Sequence, residues 1–265
     1  MADQLADLRY DVALANRMLA HHGVIDAFGH VSARHPDDPQ RYLLSRSRAP
    51  ELVEPADILE YTLDSKLVKE SDTPLYSERV IHGEIYKARP DVNCVVHHHS
   101  PDFMPLVITG IDYVPVFHLG AVGGSHVPFW DQREEFGDTN LLVVKPEEGA
   151  SLARRLAQNW MVLMNRHGVT VAATNVREAV FRCIFSSLNA RFQIAAAAAG
   201  RVGPLSPGEV KHAFTISTGT TGQARSWELW TTHLAKAGSL PPQSTPARSV
   251  SAARKPRAAA KAAKR

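Results

Sequence analysis

Three consecutive histidines, His97-His98-His99, follow the apolar run Cys94-Val95-Val96 and precede Ser100. Residues at i and i+2 of an extended strand project to the same side, so a strand carried through this stretch lets His97 and His99 reach one ion together. Neutral imidazole is the commonest metal ligand, and zinc or manganese sites complete their shells with further histidines or carboxylate oxygens from distant parts of a chain. The candidates are Glu78, His82, His118, His126 and His167. His167 stands in Asn165-Arg166-His167-Gly168, a tight polar turn between two apolar stretches, from which a side chain can face a site without disturbing a core. Glu78 opens a helical stretch that leads directly back to the histidine run. A structural reading competes with ligation: two histidines at alternate positions can be satisfied by backbone carbonyls, and three in a row can arise by chance in a chain with 13. Spacing alone leaves the third and fourth ligands open.

Taken in order, these stretches resemble the class II aldolase/adducin family. His97-His98-His99-Ser100 is similar to its His-x-His-Ser element, and Asn165-Arg166-His167-Gly168-Val169 resembles its Asn-His-Gly turn with one residue inserted or shifted. Gly29-His30-Val31-Ser32 resembles its early Gly-Asn-x-Ser loop, and Ser77-Glu78 its Ser-Glu before a helix. The resemblance runs from about Leu5 to Arg201. It implies an α/β protein, a three-layer α/β/α fold around a central, mostly antiparallel nine-stranded sheet, assembled as a homotetramer or higher homo-oligomer with sites near subunit boundaries. It also implies a divalent metal ion held by His97, His99 and His167, with Glu78 as a neighbouring acid/base or fourth ligand. Manganese or zinc suits imidazole with carboxylate, and iron and cobalt are compatible with the same donors.

The departures from the family pattern point to a substrate class. Sugar-phosphate aldolases of the family hold phosphate with a Gly-Asn loop and a Thr-x-Ser-Gly segment, where this chain has Gly29-His30 and Leu44-Ser45-Arg46-Ser47-Arg48-Ala49-Pro50. A titratable ring replaces a neutral amide, and Arg46 and Arg48 bring forked guanidinium donors suited to planar carboxylates. Their alternative is a pair of solvated surface charges. The pattern resembles the decarboxylase-type branch of the family, which acts on hydroxylated aromatic or pyridine carboxylic acids. It implies a metal-dependent carboxy-lyase of aromatic compound catabolism in which Arg46, Arg48 or both orient a substrate carboxylate and Ser32 is a further substrate-binding residue. The metal withdraws charge from a substrate oxygen, and Glu78 protonates the carbanionic carbon once CO2 leaves, with His30 as a second acid/base candidate. A metal-dependent aldolase or epimerase of a carbonyl or sugar-like substrate is the alternative. An adducin-like binding module without catalysis has no physical need for His97, His99, His167 and Glu78 together.

The elements that must position these groups follow from periodicity. Leu5, Leu8, Val12, Ala15 and Leu19 fall at steps of three and four before Gly23, an amphipathic helix. Short strands are expected at Phe28–Ala33, Tyr42–Ser45 and Ile58–Leu63, then a helix over Glu78–Lys87 capped by Ser77 and a buried strand at Cys94–Val96. Further strands are expected at Leu141–Val144, Met161–Leu163 and Val169–Ala172, and helices at about Glu147–Gln158, Val176–Ala199 and Ala224–Ala237. Gly120-Ala121-Val122-Gly123-Gly124, flanked by His118 and His126, reads as a flexible wall or lid, and Trp227 and Trp230 as packing residues, with Arg225 nearby.

Composition bounds the rest. With 265 residues, 44% hydrophobic and 22% charged, the chain has enough apolar material for one large core and too much for disorder. No run approaches ~18 apolar residues, and Met1–Leu8 lacks the basic and apolar parts of a secretory signal, so a soluble cytoplasmic protein without a membrane partner is expected. Two cysteines, Cys94 and Cys183, exclude a disulfide scaffold. The net charge of +3 is misleading: Pro241–Arg265 holds seven basic and no acidic residues, and removing them leaves 23 basic against 27 acidic, a net −4. The division expected is a domain over 1–240 and a basic, disordered tail over 241–265, with a small carboxylate as partner and no specific nucleic acid.

Overall fold

The computed structural model describes residues 2–243. The basic stretch from residue 244 onward lies outside the described residues.

Seven strands form one sheet: β1 (His30–Arg34), β2 (Arg41–Ser45), β3 (Ile58–Thr62), β4 (Cys94–His98), β5 (Phe129–Trp130), β6 (Met161–Met164) and β7 (Gly168–Ala173). Their order is β3-β2-β1-β4-β7-β6-β5, and every pairing is antiparallel except β5 with β6. Eight helices flank it: α1 (Ala2–His21), α2 (Arg79–Ala88), α3 (Met104–Thr109), α4 (Arg133–Phe136), α5 (Pro146–Leu156), α6 (Val176–Ala199), α7 (Pro207–Ser217) and α8 (Thr220–Lys236). The expected three-layer class is found, with seven strands among the described residues where the resemblance implied nine.

The strand period of two divides the core between the two faces. Cys94 and Val96 of β4, with Val31 and Ala33 of β1 and Val169 and Val171 of β7, pack against α1, α6 and α8. Val95, Ala172 and Val162 point the other way, into a core shared with Ile81 and Ile85 of α2 and Leu152 and Leu156 of α5. Continuing the alternation, His97 falls on the α2/α5 side. His98 falls on the α1/α6 side, where its ring sits 5.8 Å from Phe103. The middle histidine of the triplet is therefore a core residue.

Local chemistry sets the element ends. Gly23, at φ +68°, stops α1, whose Val12, Ala15 and Leu19 are fully buried. Asn175 caps α6 by accepting from the Glu178 N–H at 2.9 Å. The helix expected over Glu78–Lys87 is found one residue later, and the cap position falls to Glu78 and not to the expected Ser77, with no side-chain hydrogen bond to the helix. Leu141–Val144 is not a strand. Leu141 adopts φ +67°, which breaks the extended geometry, and the segment is a loop whose Val143 N–H reaches Glu78. Gly120–Gly124 is also no flexible lid: it belongs to a 3-10 turn, His118–Gly123, whose Gly120 carbonyl accepts from the Tyr113 hydroxyl at 2.7 Å. The missed α3, β5, α4 and α7 are short or carry a weak apolar stripe, which periodicity does not register. Cys94 and Cys183 are free and buried. Among the described residues no helix is long and apolar enough to cross a membrane.

Candidate active site and metal centre

Antiparallel pairing aligns His30 of β1 with His97 of β4 and His97 with Thr170 of β7, a row across the sheet on its α2/α5 face. Thr170 Oγ1 stands 3.2 Å from His97 Nδ1, which leaves His97 Nε2 for the site. His99, two residues on, brings its Nε2 to 3.0 Å from that of His97. The turn between β6 and β7 supplies His167. It closes tightly because Arg166 takes φ +57° and Gly168 lies where a side chain would meet the His98 carbonyl oxygen at 2.5 Å. Its ring centre is 4.9 Å from that of His97 and 5.1 Å from that of His99.

Glu78 completes the group. Its Oε1 is 3.5 Å from His167 Nε2 and its Oε2 is 3.8 Å from His97 Nε2. One ligand atom from each of Glu78, His97, His99 and His167 lies within 4.8 Å of the other three. Tetrahedral ligation at about 2.0–2.2 Å separates donor atoms by somewhat more than 3 Å, so the four groups are spaced as a cation would require after small rotations. The donor chemistry agrees. Both ring nitrogens of His167 are buried without a hydrogen-bond partner, a cost that a bound cation would remove at one of them. Burial holds the imidazoles neutral: His167 is lowered to about 4, and His97 and His99 also lie below their ordinary values, the neighbouring rings adding to the effect at His97. Burial pushes Glu78 up to about 7, partly offset by the Val143 N–H, which donates to its Oε1 at 3.0 Å.

The cluster opens onto a cavity of about 640 Å3 whose wall includes Glu78, His99, His167 and His30. Its apolar wall is Ala27, Phe28, Leu75, Leu141 and Leu142, and its cations are Arg48 and Arg166. The tyrosine ring of Tyr76 lies 4.6 Å from that of His30, and its hydroxyl donates to the Arg48 carbonyl. Sequence reasoning did not assign roles to Tyr76, Val143, Thr170 or Arg166. Arg166 makes no ion pair among the described residues, and its place beside His167 in the turn was the one available signal.

The other candidates fall elsewhere. His82 is fully buried and bonded to His30 and Ser32, and His118 and His126 are exposed and outside the cluster. Ser32 is not on the cavity wall; its hydroxyl is taken up by His82 and Tyr86. Arg46 is not on the wall either, because its Nε donates to Asp57 Oδ1 at 2.7 Å. Arg48 reaches the wall while pairing with Asp57 at 2.5 Å and Glu54 at 3.5 Å. Trp227 and Trp230 pack in the core, and Arg225 is exposed.

Asp57 thus anchors both arginines. Burial raises its carboxyl, but the hydrogen bonds from Arg48, the Glu54 N–H and Arg46 outweigh that and hold it below its ordinary value. The sign follows: the folded chain gains stability from this group above about pH 4 and loses it as the pH falls through the depressed value. Asp57→Asn should therefore flatten the acid side of a thermal-stability profile against pH, measured by circular dichroism, and a profile still parallel to wild type would remove Asp57 as the anchor.

A model of the Class II Aldolase and Adducin N-terminal domain matches residues 10–194. The chain belongs to this family. It is 32% identical over 237 residues to Decarboxylase tropJ of Talaromyces stipitatus, covering 80% of this chain and 88% of that protein. It is 29% identical over 194 residues to the 3,4-dihydroxyphthalate decarboxylase of Arthrobacter keyseri, covering 68% and 74%. Among solved structures, L-fuculose 1-phosphate aldolase from Glaciozyma antarctica superposes with a TM-score of 0.75 at 18% identity, over 90% of this chain and 93% of that one. The last similarity is one of fold; the family members nearest in sequence among these three are both decarboxylases by name.

Proposed function

We propose that the chain is a metal-dependent, non-oxidative decarboxylase of a hydroxylated aromatic or N-heteroaromatic carboxylic acid. The observation that carries this reading is the shared wall of one cavity: Glu78, His99 and His167 of the ligand cluster, the apolar side chains Phe28, Leu75 and Leu141, and the cations Arg48 and Arg166. Its volume of about 640 Å3 suits a small ring acid. The names of the relatives, Decarboxylase tropJ and 3,4-dihydroxyphthalate decarboxylase, support the same chemistry.

In this reading His97, His99 and His167 hold the ion, manganese or zinc by donor type. Bound there, a divalent ion would supply Lewis acidity to a ring hydroxyl, or its keto tautomer, and an adjacent carboxylate. Leu75 and Leu141 of the cavity wall pack against the ring. Arg48 and Arg166 orient a carboxylate. As the carbon–carbon bond breaks, its electron pair stays on the ring carbon and CO2 leaves. Glu78 then delivers a proton from its carboxyl to that carbon. Burial raises this carboxyl and favours its protonated form while a neighbouring cation opposes that, and the Val143 N–H at Oε1 leaves Oε2 as the proton-bearing oxygen. Assembly as a homotetramer or higher homo-oligomer belongs to the same proposal and rests on the membership of this family.

The test incubates the metal-loaded chain with hydroxylated benzene and pyridine dicarboxylates, and separately with hydroxy-keto sugar phosphates, measuring CO2 and aldehyde. CO2 from the first set is expected; aldehyde from the second without CO2 from the first would make it an aldolase. Arg48→Ala should raise KM for the acid by about tenfold with metal content unchanged, since it removes a charge-assisted contact of about 1.5 kcal/mol. Unchanged kinetics would return Arg48 to a surface role.

A further inference from the structure

We propose that Tyr86, Ser32 and His82 form a one-way hydrogen-bond chain that fixes His30 as a neutral Nε2–H donor facing the cavity, poised for an anionic oxygen of the substrate. His82, Ser32 and Tyr86 are then positioning residues. His30 is a recognition group, and the general-acid role it shared with Glu78 in the sequence reading falls to Glu78 alone. The substrate half of this inference rests on the decarboxylase reading above; the hydrogen-bond half does not.

The chain is built from two periodicities. His30 and Ser32 are two apart on β1 and share a face, and His82 and Tyr86 are four apart on α2 and share a face. The two spacings nearly match, because two strand residues and four helix residues each advance about 6–7 Å. The side chains therefore interleave. His30 Nδ1 lies 2.6 Å from His82 Nε2, His82 Nδ1 lies 2.6 Å from Ser32 Oγ, and Ser32 Oγ lies 2.8 Å from the Tyr86 hydroxyl. All four residues are buried, between 0% and 3% exposed.

Its direction follows from the end that has no choice. Among the described residues the Tyr86 hydroxyl has one partner, Ser32 Oγ. If Tyr86 accepted there, its own proton would be buried and unmade, so Tyr86 donates. Ser32 must then place its proton on His82 Nδ1 at 2.6 Å or on the Val95 carbonyl at 3.5 Å, and the second is beyond the normal O–H···O range. With Nδ1 accepting, neutral His82 carries its proton on Nε2 and donates to His30 Nδ1. Neutral His30 in turn carries its proton on Nε2. That nitrogen has no partner among the described residues, and the ring lies on the cavity wall. Donor bonds in such a series polarise one another in the same direction. The Tyr76 ring packs beside the imidazole, 4.6 Å between ring centres.

The experiment uses the full chain, labelled with 15N-histidine and loaded with Zn2+, and reads the two-bond 1H–15N spectrum of the His30 ring, assigned by its loss in His30→Asn. The expected spectrum has an unprotonated Nδ1 and a protonated Nε2. In Tyr86→Phe and Ser32→Ala the two nitrogens should move toward an averaged tautomer, while Ser32→Thr keeps the wild-type pattern. A protonated Nδ1 in the wild type overturns the chain, and this reading needs no variant other than the His30→Asn used for assignment. Ring signals that stay put in both Tyr86→Phe and Ser32→Ala also overturn it. In parallel, binding of 3,4-dihydroxyphthalate by calorimetry should weaken by about tenfold in Tyr86→Phe with zinc content unchanged, the loss of one well-placed donor. If wild type shows the expected tautomer yet binds no diacid, the substrate class is refuted and the hydrogen-bond direction is supported; equal binding by Tyr86→Phe refutes the positioning role.

Discussion

His99→Ala is expected to release the metal ion and to lower turnover by more than about 100-fold, exceeding the loss of about 10–100-fold typical for removing a partner one step outside a metal's ligands. The reason is geometric. His97 Nε2 and His99 Nε2 are 3.0 Å apart, and the remaining donors, Glu78 and His167, approach from a different element and a different turn. Removing His99 leaves a gap on the cavity side, where water replaces an imidazole without its fixed orientation. The same loss is expected for His97→Ala, because Thr170 then has no ring to hold. Metal content by plasma emission and turnover by CO2 release should fall together. Retention of one equivalent of metal and full turnover in His99→Ala would refute the site.

Glu78→Gln should separate what the histidine variants lose together. Glutamine keeps an oxygen to accept the Val143 N–H and nearly the same shape, and three imidazoles remain to hold the ion. Metal content should therefore stay near wild type, while turnover falls by about 100- to 10,000-fold, the contribution of a well-placed general acid. Substrate affinity should change little. Wild-type turnover in Glu78→Gln would assign the proton to another group. Loss of metal in parallel with turnover would make Glu78 a ligand first and a proton donor second.

How much of this was legible beforehand depends on whether a feature is local. The alternation through Cys94–His98 and the helical stripe of α1 are properties of contiguous residues, so both elements could be read directly, and with them the shared orientation of His97 and His99. His167 was legible because polar residues and a glycine interrupt two apolar runs, and the close approach of Gly168 to the His98 carbonyl is the physical reason that turn has its composition. Leu141–Val144 misled because its apolar residues suit a strand, whereas the segment is bent to give Glu78 a backbone donor and the cavity two leucines. No local pattern announces that. Arg46 and Ser32 lie off the cavity wall for a related reason: both belong to the right stretch of chain, but Asp57, 11 residues on, and His82, 50 residues on, claim their polar atoms. Pairings between remote residues decide which polar group faces a cavity and which is spent inside the protein, and a single sequence holds no record of them.

The most direct examination of the metal centre is X-ray absorption at the metal edge of the full chain loaded with Zn2+. The expected spectrum shows nitrogen and oxygen neighbours at about 2.0–2.2 Å, with the outer-ring scattering of three imidazoles. A first shell with one imidazole or none, or with sulfur neighbours at about 2.3 Å, would place the ion elsewhere and contradict the site built from His97, His99 and His167.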